Sequence, residues 1–289
     1  MPYEDTGLGG NSGTSGVSAV HDAGLVSTIR TVGRKRKKYS VVCPQAGKLF
    51  CFAKFQRSLM QLPLDQAHVV IYDNSRSERH RARLVSLTKS LPSFTLVEDR
   101  NPPASIESTD SFRNIIRRCS DVYQQIYEQH LPAKSDFVIN LEDDIESPKG
   151  GFDRLLNVMQ TYDGVGTVIG NCHDRRVFVS NGRASSIAVN FTKSQPIGGT
   201  GETLYEVTGM PERQFGVEAI GAGHMGLWLA RRECVEQVGM RTIPEPSLLP
   251  LGHDIQYGLR LNEAGWKFAI DWSVPLKHYY QRDGSTLSC

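Results

Sequence analysis

The chain has 289 residues, of which 39% are apolar and 22% charged. Such a chain can bury a sizeable core, and the balance excludes collagen, a coiled coil and wholesale disorder. A bilayer-spanning helix needs about 20 mainly apolar residues, and the longest apolar runs, such as residues 69–72, are far shorter.

The 33 basic and 31 acidic residues give a net charge of +2. It is unevenly placed. Up to Lys38 the chain carries Arg30, Arg34, Lys35, Arg36, Lys37 and Lys38 against Glu4, Asp5 and Asp22, so the remainder is close to neutral. The run at 34–38 reads either as a contact for nucleic acid or another anionic surface, or as a solvated tail. The cysteines (Cys43, Cys51, Cys119, Cys172, Cys234 and Cys289) form no CxxC pair. A reduced, cytoplasmic protein is the expectation. The first residues have no basic start and no apolar stretch, so no secretory signal is expected.

Residues 1–33 are rich in Gly, Ser and Thr, which predicts a flexible tail over 1–38 and a folded domain over 39–289. From Tyr39 onward strands and helices alternate. A strand at 39–44 is followed by a helix with Phe52, Phe55 and Leu59 on one face. Residues 67–72 are continuously apolar, as in a strand covered on both sides. A turn at 73–77 and a strand at 94–99 follow. The clearest helix places Phe112, Ile115, Ile116, Cys119, Val122, Tyr123, Ile126 and Tyr127 on one face, with Asp110 or Ser111 as cap. Next come a buried strand at 136–141, an acidic turn at 142–148, a helix near 150–161 and a strand at 165–170.

Residues 171–176 read as a loop, and 176–180 and 185–191 as strands. The segment 196–202 is a loop, either of a length suited to a lid or, more commonly, an ordinary surface loop. A strand at 226–231, a helix at 231–239 stopped by Gly239, a helix at 253–266 ended by Gly265 and a strand at 267–274 complete the order. This alternation predicts an α/β, Rossmann-like, mostly parallel sheet in a single domain, with helices on both faces. Ligands of such sheets sit at the carboxyl ends of the strands. Asp73 and the cluster Glu142, Asp143 and Asp144 fall at such ends.

Three consecutive carboxylates after a buried strand repel each other and call for a cation or strong donors. Oxygen ligands there suit Mg²⁺ or Mn²⁺, which bind through one or two carboxylates plus substrate phosphates. The competing reading is a solvated acidic turn capping the next helix. Asp254, at a helix start, is either an N-cap or a general base. His278 follows the last strand and, brought beside Asp144, could share its metal. Residues 221–226 (GAGHMG) have no following helix and no phosphate-loop lysine, so they form neither a Walker nor a Rossmann fingerprint.

Taken in order, these segments resemble glycosyltransferases of the GT-A fold, family 2 in particular. Residues 69–77 (VVIYDNSRS) resemble their second strand and its nucleoside-contacting end. Residues 137–148 (FVINLEDDIESP) resemble their DxD motif, with Glu142 where the motif has Asp. Residues 226–239 (GLWLARRECVEQVG) resemble the acceptor-side segment. Residues 252–280 resemble the closing segment, with His253 in place of its usual Glu. The match covers roughly 39–280.

The resemblance implies a UDP-sugar donor and Mn²⁺ or Mg²⁺. It implies that Asp73 and Asn74 contact the nucleoside, that Glu142 and Asp143 line the donor site, that Asp144 and His278 meet the metal, and that Asp254 is the base of an inverting transfer. Some bacteriophage enzymes of this kind glycosylate hydroxymethylated pyrimidines, and the basic run leaves a DNA acceptor open beside a glycan, glycolipid or protein. A non-catalytic nucleotide-sugar-binding module is the reading from a different class. A nucleotidyltransferase fits poorly, because its Gly-rich basic loop would fall at CPQAGKLF (43–50).

Overall fold

The computed structural model describes residues 16–22, 25–32, 38–99, 112–132, 134–178, 184–186, 190–193, 205–209, 215–240, 253–282 and 285–288. The strands expected from continuous apolar runs form its centre. They are β3 (Tyr39–Gln45), β4 (Ala67–Asp73), β5 (Phe94–Asp99) and β6 (Phe137–Leu141), after a hairpin of β1 (Gly16–Asp22) and β2 (Leu25–Val32). Every residue of β4 is buried, as expected of a strand covered on both faces. β5, β4, β3 and β6 lie side by side and parallel.

Beyond β6 come β7 (Ile145–Glu146), β8 (Val165–Phe178), β9 (Ala184–Ser186), β10 (Asn190–Lys193), β11 (Tyr205–Gly209), β12 (Val217–Ile220), β13 (Leu227–Arg231), β14 (Lys267–Arg282) and β15 (Ser285–Ser288). The main sheet runs β1-β2-β5-β4-β3-β6-β13-β8-β14-β12, and β10 pairs β11 separately. β13 is antiparallel to both β6 and β8, while β8 and β14 are parallel.

The helices cover both faces. Along β3 and β4 successive side chains point to opposite sides. Val41, Cys43, Val69 and Ile71 pack with α1 (Phe52–Leu59), α2 (Glu78–Thr88) and α4 (Gly151–Thr161). Val42, Val70 and Tyr72 pack with α3 (Phe112–Gln125), α5 (Arg232–Val238) and α6 (His253–Glu263). A π-helical turn, Ile126–His130, prolongs α3. Gly239 and Gly265, at φ of 65° and 85°, end α5 and α6 as expected. Among the described residues no helix is long and apolar enough to cross a membrane.

β11, β12 and β15 have no counterpart in the sequence expectation, β14 runs on past residue 274 to Arg282, and three further segments differ. α2 fills the stretch after the 73–77 turn. Its segment is rich in charge and buries only Leu84 and Leu87 as apolar anchors, with Ser77 Oγ capping it by accepting the His80 N–H. Residues 171–176 are strand, not loop. β14 offers partners there, Asn171 facing Pro275 and Cys172 facing Leu276, and pairing overrides the weak local preference of Asn, His and Asp. Residues 16–32, read as tail, form a hairpin whose second strand pairs β5 from Ser27 to Val32. β5 would otherwise present an unpaired edge, and Val26, Thr28, Ile29, Thr31 and Val32 suit a strand. The proposed helix caps Asp110 and Ser111, the 196–202 loop and residues 34–37 lie outside the described residues.

α6 meets the turn before β13 at Gly258, where an added Cβ would lie 2.5 Å from both Ala222 Cβ and Gly221 O. Backbone cannot yield as a side-chain tip can. Gly258→Ala is expected to lower the unfolding free energy by about 1–3 kcal/mol in a urea titration, and an unchanged midpoint would refute the close contact.

Candidate active site

The site is built where β6 ends. β6 is central and buried, and its last polar residue, Asn140, donates from Nδ2 to Met225 O at 2.6 Å and to Tyr123 Oη at 3.2 Å. The chain then turns through three carboxylates with separate tasks. Asp143 Oδ2 accepts the backbone N–H groups of Ala46 (2.9 Å) and Lys48 (3.3 Å). Its carbonyl accepts the Cys51 thiol at 3.2 Å. Asp143 therefore holds the loop that follows β3.

That loop delivers Lys48, whose ammonium lies 2.5 Å from Asp144 Oδ2 and 3.4 Å from Asp143 Oδ1. His278 Nε2 also meets Asp144 Oδ2, at 3.0 Å. Glu142 turns the other way. Its Oε1 accepts the Tyr123 hydroxyl at 2.7 Å, and its Oε2 is 3.7 Å from His224 Nε2.

Charge and burial explain the ionisation of the cluster. Asp144 is 1% exposed. Burial opposes its charge, but Lys48 and His278 outweigh that and hold its carboxyl well below the usual carboxylate range. Burial raises the Asp143 carboxyl against the opposing pull of Lys48. Burial also opposes the Lys48 ammonium, and the two aspartates more than compensate, lifting it above its ordinary value. Burial pushes the His224 imidazole down, against Glu142 and Asp254. Burial and then Glu142 raise the Tyr123 hydroxyl, which remains a neutral donor.

The expected site residues fall in two groups. Asp144 and His278, 134 positions apart, are brought together by β14, whose His278 pairs Ile145 and whose Tyr279 N–H donates to Asp144 O at 2.8 Å. Asp254 lies on the first turn of α6, its Oδ1 accepting the Ile255 N–H at 2.9 Å. Its neighbour His253 stacks on Tyr123 with ring centroids 4.9 Å apart, which ties the start of α6 to Glu142.

Asp73 and Asn74 form a separate group at the end of β4. Asp73 is fully buried, its Oδ1 accepting the Ser75 N–H at 3.0 Å and its Oδ2 3.4 Å from Arg81 Nε. The Asn74 N–H donates to Gln45 O at 3.1 Å.

Lys48, Tyr123, Arg81 and His224 are not among the expected site residues, although 43–50 and 221–226 are weighed as phosphate loops. Lys48 could have been found from its place just beyond the first strand. His224 could have been found from β13, whose antiparallel pairing with β6 puts its leading turn beside Glu142.

Asp144 and His278 fit a divalent cation of the Mn²⁺ or Mg²⁺ class. Asp144 is held ionised, and its Oδ2 lies 3.0 Å from His278 Nε2, so an oxygen and a nitrogen donor converge there. One carboxylate and one imidazole, completed by phosphate oxygens, is a usual donor set for such ions.

No protein-family model matches the sequence, and no curated protein matches it. Solved structures do. GalNAc-T7 with UDP, GalNAc and Mn²⁺ is similar at a TM-score of 0.53 and 14% identity, over 86% of this chain and 44% of that one. TarS 1–349 of S. aureus is similar at 0.50 and 10%, over 82% of this chain and 60% of that one. The mannosyltransferase PcManGT from Pyrobaculum calidifontis, in complex with GDP-Man and Mn²⁺, gives 0.47 and 14%, over 82% of this chain and 57% of that one. The chain thus spans less than two thirds of each. The first two likenesses establish the fold, that of GT-A glycosyltransferases.

Because folding lowers the Asp144 carboxyl, its ionised form stabilises the fold above its unfolded value of about 3.9, and this is lost as pH falls below that. Asp143 is raised and contributes with the opposite sign. Wild type is expected to lose unfolding free energy between about pH 5 and pH 3, and Asp144→Asn to lose less. Equal acid limbs in denaturant titrations would refute the pairing.

Proposed function

We propose that the chain transfers a sugar from a UDP-sugar to a hydroxyl acceptor, with inversion at the anomeric carbon. The observation that carries this reading is the meeting of Asp144, His278 and Lys48 at the carboxyl end of the parallel strands, on a GT-A fold. Asp73 and Asn74, at the end of β4, serve the nucleoside side. Glu142 and Asp143 shape the donor site, Asp143 by fixing the Lys48 loop.

Asp144 and His278 would hold a Mn²⁺ or Mg²⁺ ion, which would supply positive charge to the leaving diphosphate. Lys48 adds its ammonium to the same region. Asp254 takes the proton of the acceptor hydroxyl, whose oxygen attacks the anomeric carbon opposite the UDP. The new C–O bond forms as the bond to the β-phosphate oxygen breaks, and UDP leaves with the electron pair.

Transferases can hydrolyse their donor slowly, so UDP release from a panel of UDP-sugars tests this without the acceptor. Release is expected with Mn²⁺ and not with EDTA, and is expected to vanish in Asp144→Ala. Asp254→Asn is expected to lower it by about 10²–10⁴-fold while UDP still binds. No release from any donor, together with no metal-dependent UDP binding, would overturn the reading. An Asp254→Asn variant unchanged in every assay would favour a non-catalytic binding module instead.

The basic run at 34–38 supports DNA bearing hydroxymethylated pyrimidines as acceptor. Phosphate contacts release counterions, so binding to duplex DNA should weaken with salt, with a slope of about −0.9 per contact. It should also weaken when 34–38 are neutralised. Absent or salt-independent binding would move the acceptor to a glycan, glycolipid or protein.

A further inference from the structure

Cys172, His224 and His278 each offer a ligand atom, and the three atoms lie within 4.8 Å of one another. No motif contains this set, because it comes from three strands. β14 brings His278, the turn before β13 brings His224, and β8 brings Cys172. The register of β8 with β13 pairs Ile169 with Trp228. Carried on by three residues, it sets Cys172 level with Met225, next to His224. The register of β8 with β14 sets Cys172 opposite Leu276, two residues before His278.

The bland alternative is a small buried residue among others, since cysteine packs well in cores. Two observations separate Cys172 from that. Cys172 adjoins two imidazoles whose ring centroids are 5.0 Å apart. His278, only 6% exposed, commits Nε2 to Asp144, and its Nδ1 is buried with no hydrogen-bond partner among the described residues.

A metal-bound imidazole usually gives its other nitrogen to a carboxylate, which fixes the ring. Asp144 stands in that position. His224 Nδ1 accepts the Gly226 N–H at 2.8 Å, which leaves Nε2 as its outward atom.

We propose that Cys172, His224 and His278 form a metal site for a borderline ion such as Zn²⁺, with Asp144 orienting His278 from behind. One sulfur and two nitrogens suit that class of ion, and three protein ligands leave a fourth position for water or substrate. Ligands of a tetrahedral zinc lie about 3.5 Å apart, so small side-chain rotations close the set. Ligation at His224 Nε2 moves the ring proton to Nδ1 and gives up the Gly226 hydrogen bond. Cys172 loses its thiol proton to solvent on binding. This ion takes His278 at Nδ1 while Nε2 donates to Asp144, whereas a hard cation shared with Asp144 would need Nε2. The two sites are therefore alternative states of His278, and this one does not rest on the transferase reading.

The test is a Co²⁺ titration of the full chain, stripped by chelator and kept reduced, followed by absorption. One equivalent is expected to give a near-ultraviolet thiolate-to-cobalt band and intense visible bands of four-coordinate cobalt, both removed by Zn²⁺. Cys172→Ser is expected to lose the thiolate band. If that variant does not fold, His224→Ala, at a half-buried position, should weaken the band although all six cysteines remain. Asp144→Asn should keep the band with affinity lowered about 10–100-fold. No bound cobalt, a spectrum without a thiolate band, or a band unchanged in folded Cys172→Ser would each overturn the site. A thiolate band without UDP release sustains the site and sinks the transferase reading, and Mn²⁺-dependent release without the band does the reverse.

Discussion

The structure of the candidate site depends on neutralising two adjacent buried carboxylates. Asp143 and Asp144 are 3% and 1% exposed at the end of a central strand. Left alone, such a pair could not stay ionised in a protein interior. Lys48 answers both, and the arrangement is reciprocal, because Asp143 holds the backbone of the loop that presents Lys48. Removing one partner from a buried charged pair costs far more than the pair contributes in net stability. The cluster therefore specifies where the loop after β3 sits more than it stabilises the fold.

Strand direction does the rest of the assembly. Parallel β3, β4 and β6 place the Lys48 loop, Asp73 and the acidic turn at one edge of the sheet. Antiparallel β13 brings its beginning, not its end, to that edge, and with it His224. β14 continues past the sheet to pair β7, which sets His278 against Asp144. α6 reaches the same edge through the stacking of His253 on Tyr123, whose hydroxyl bonds Glu142. Six chain segments thus share one end of the sheet.

What could be read from the sequence follows from where the information lies. α3 shows a long one-sided apolar stripe and β4 an unbroken apolar run, so both are visible in local pattern. α2 has two apolar anchors within a charged segment, too few to produce a period. Residues 171–175 became strand because β14 and β9 pair with this stretch, and no local propensity encodes that. Asp144 and His278 were legible through motif order, because the chemistry of the turn is concentrated in consecutive residues. Lys48, His224 and Cys172 were not, since each enters the site through a tertiary pairing and none has neighbours in sequence that share its task.

Electrostatics also limits what the site can hold. Asp143 and Asp144 face the Lys48 ammonium, while Glu142 turns to Tyr123 and His224. Asp143 is the carboxyl that burial raises, so protonation of one group could trim the excess, but Asp144 stays ionised. A diphosphate brings several further negative charges. Lys48 already lies against Asp144 and cannot offset both that carboxylate and the incoming phosphates. A divalent cation held by Asp144 would relieve the conflict, because its charge would offset both partners and leave part of the Lys48 field for the donor. On the proposed reading, such a cation would make an acidic strand end compatible with an anionic donor.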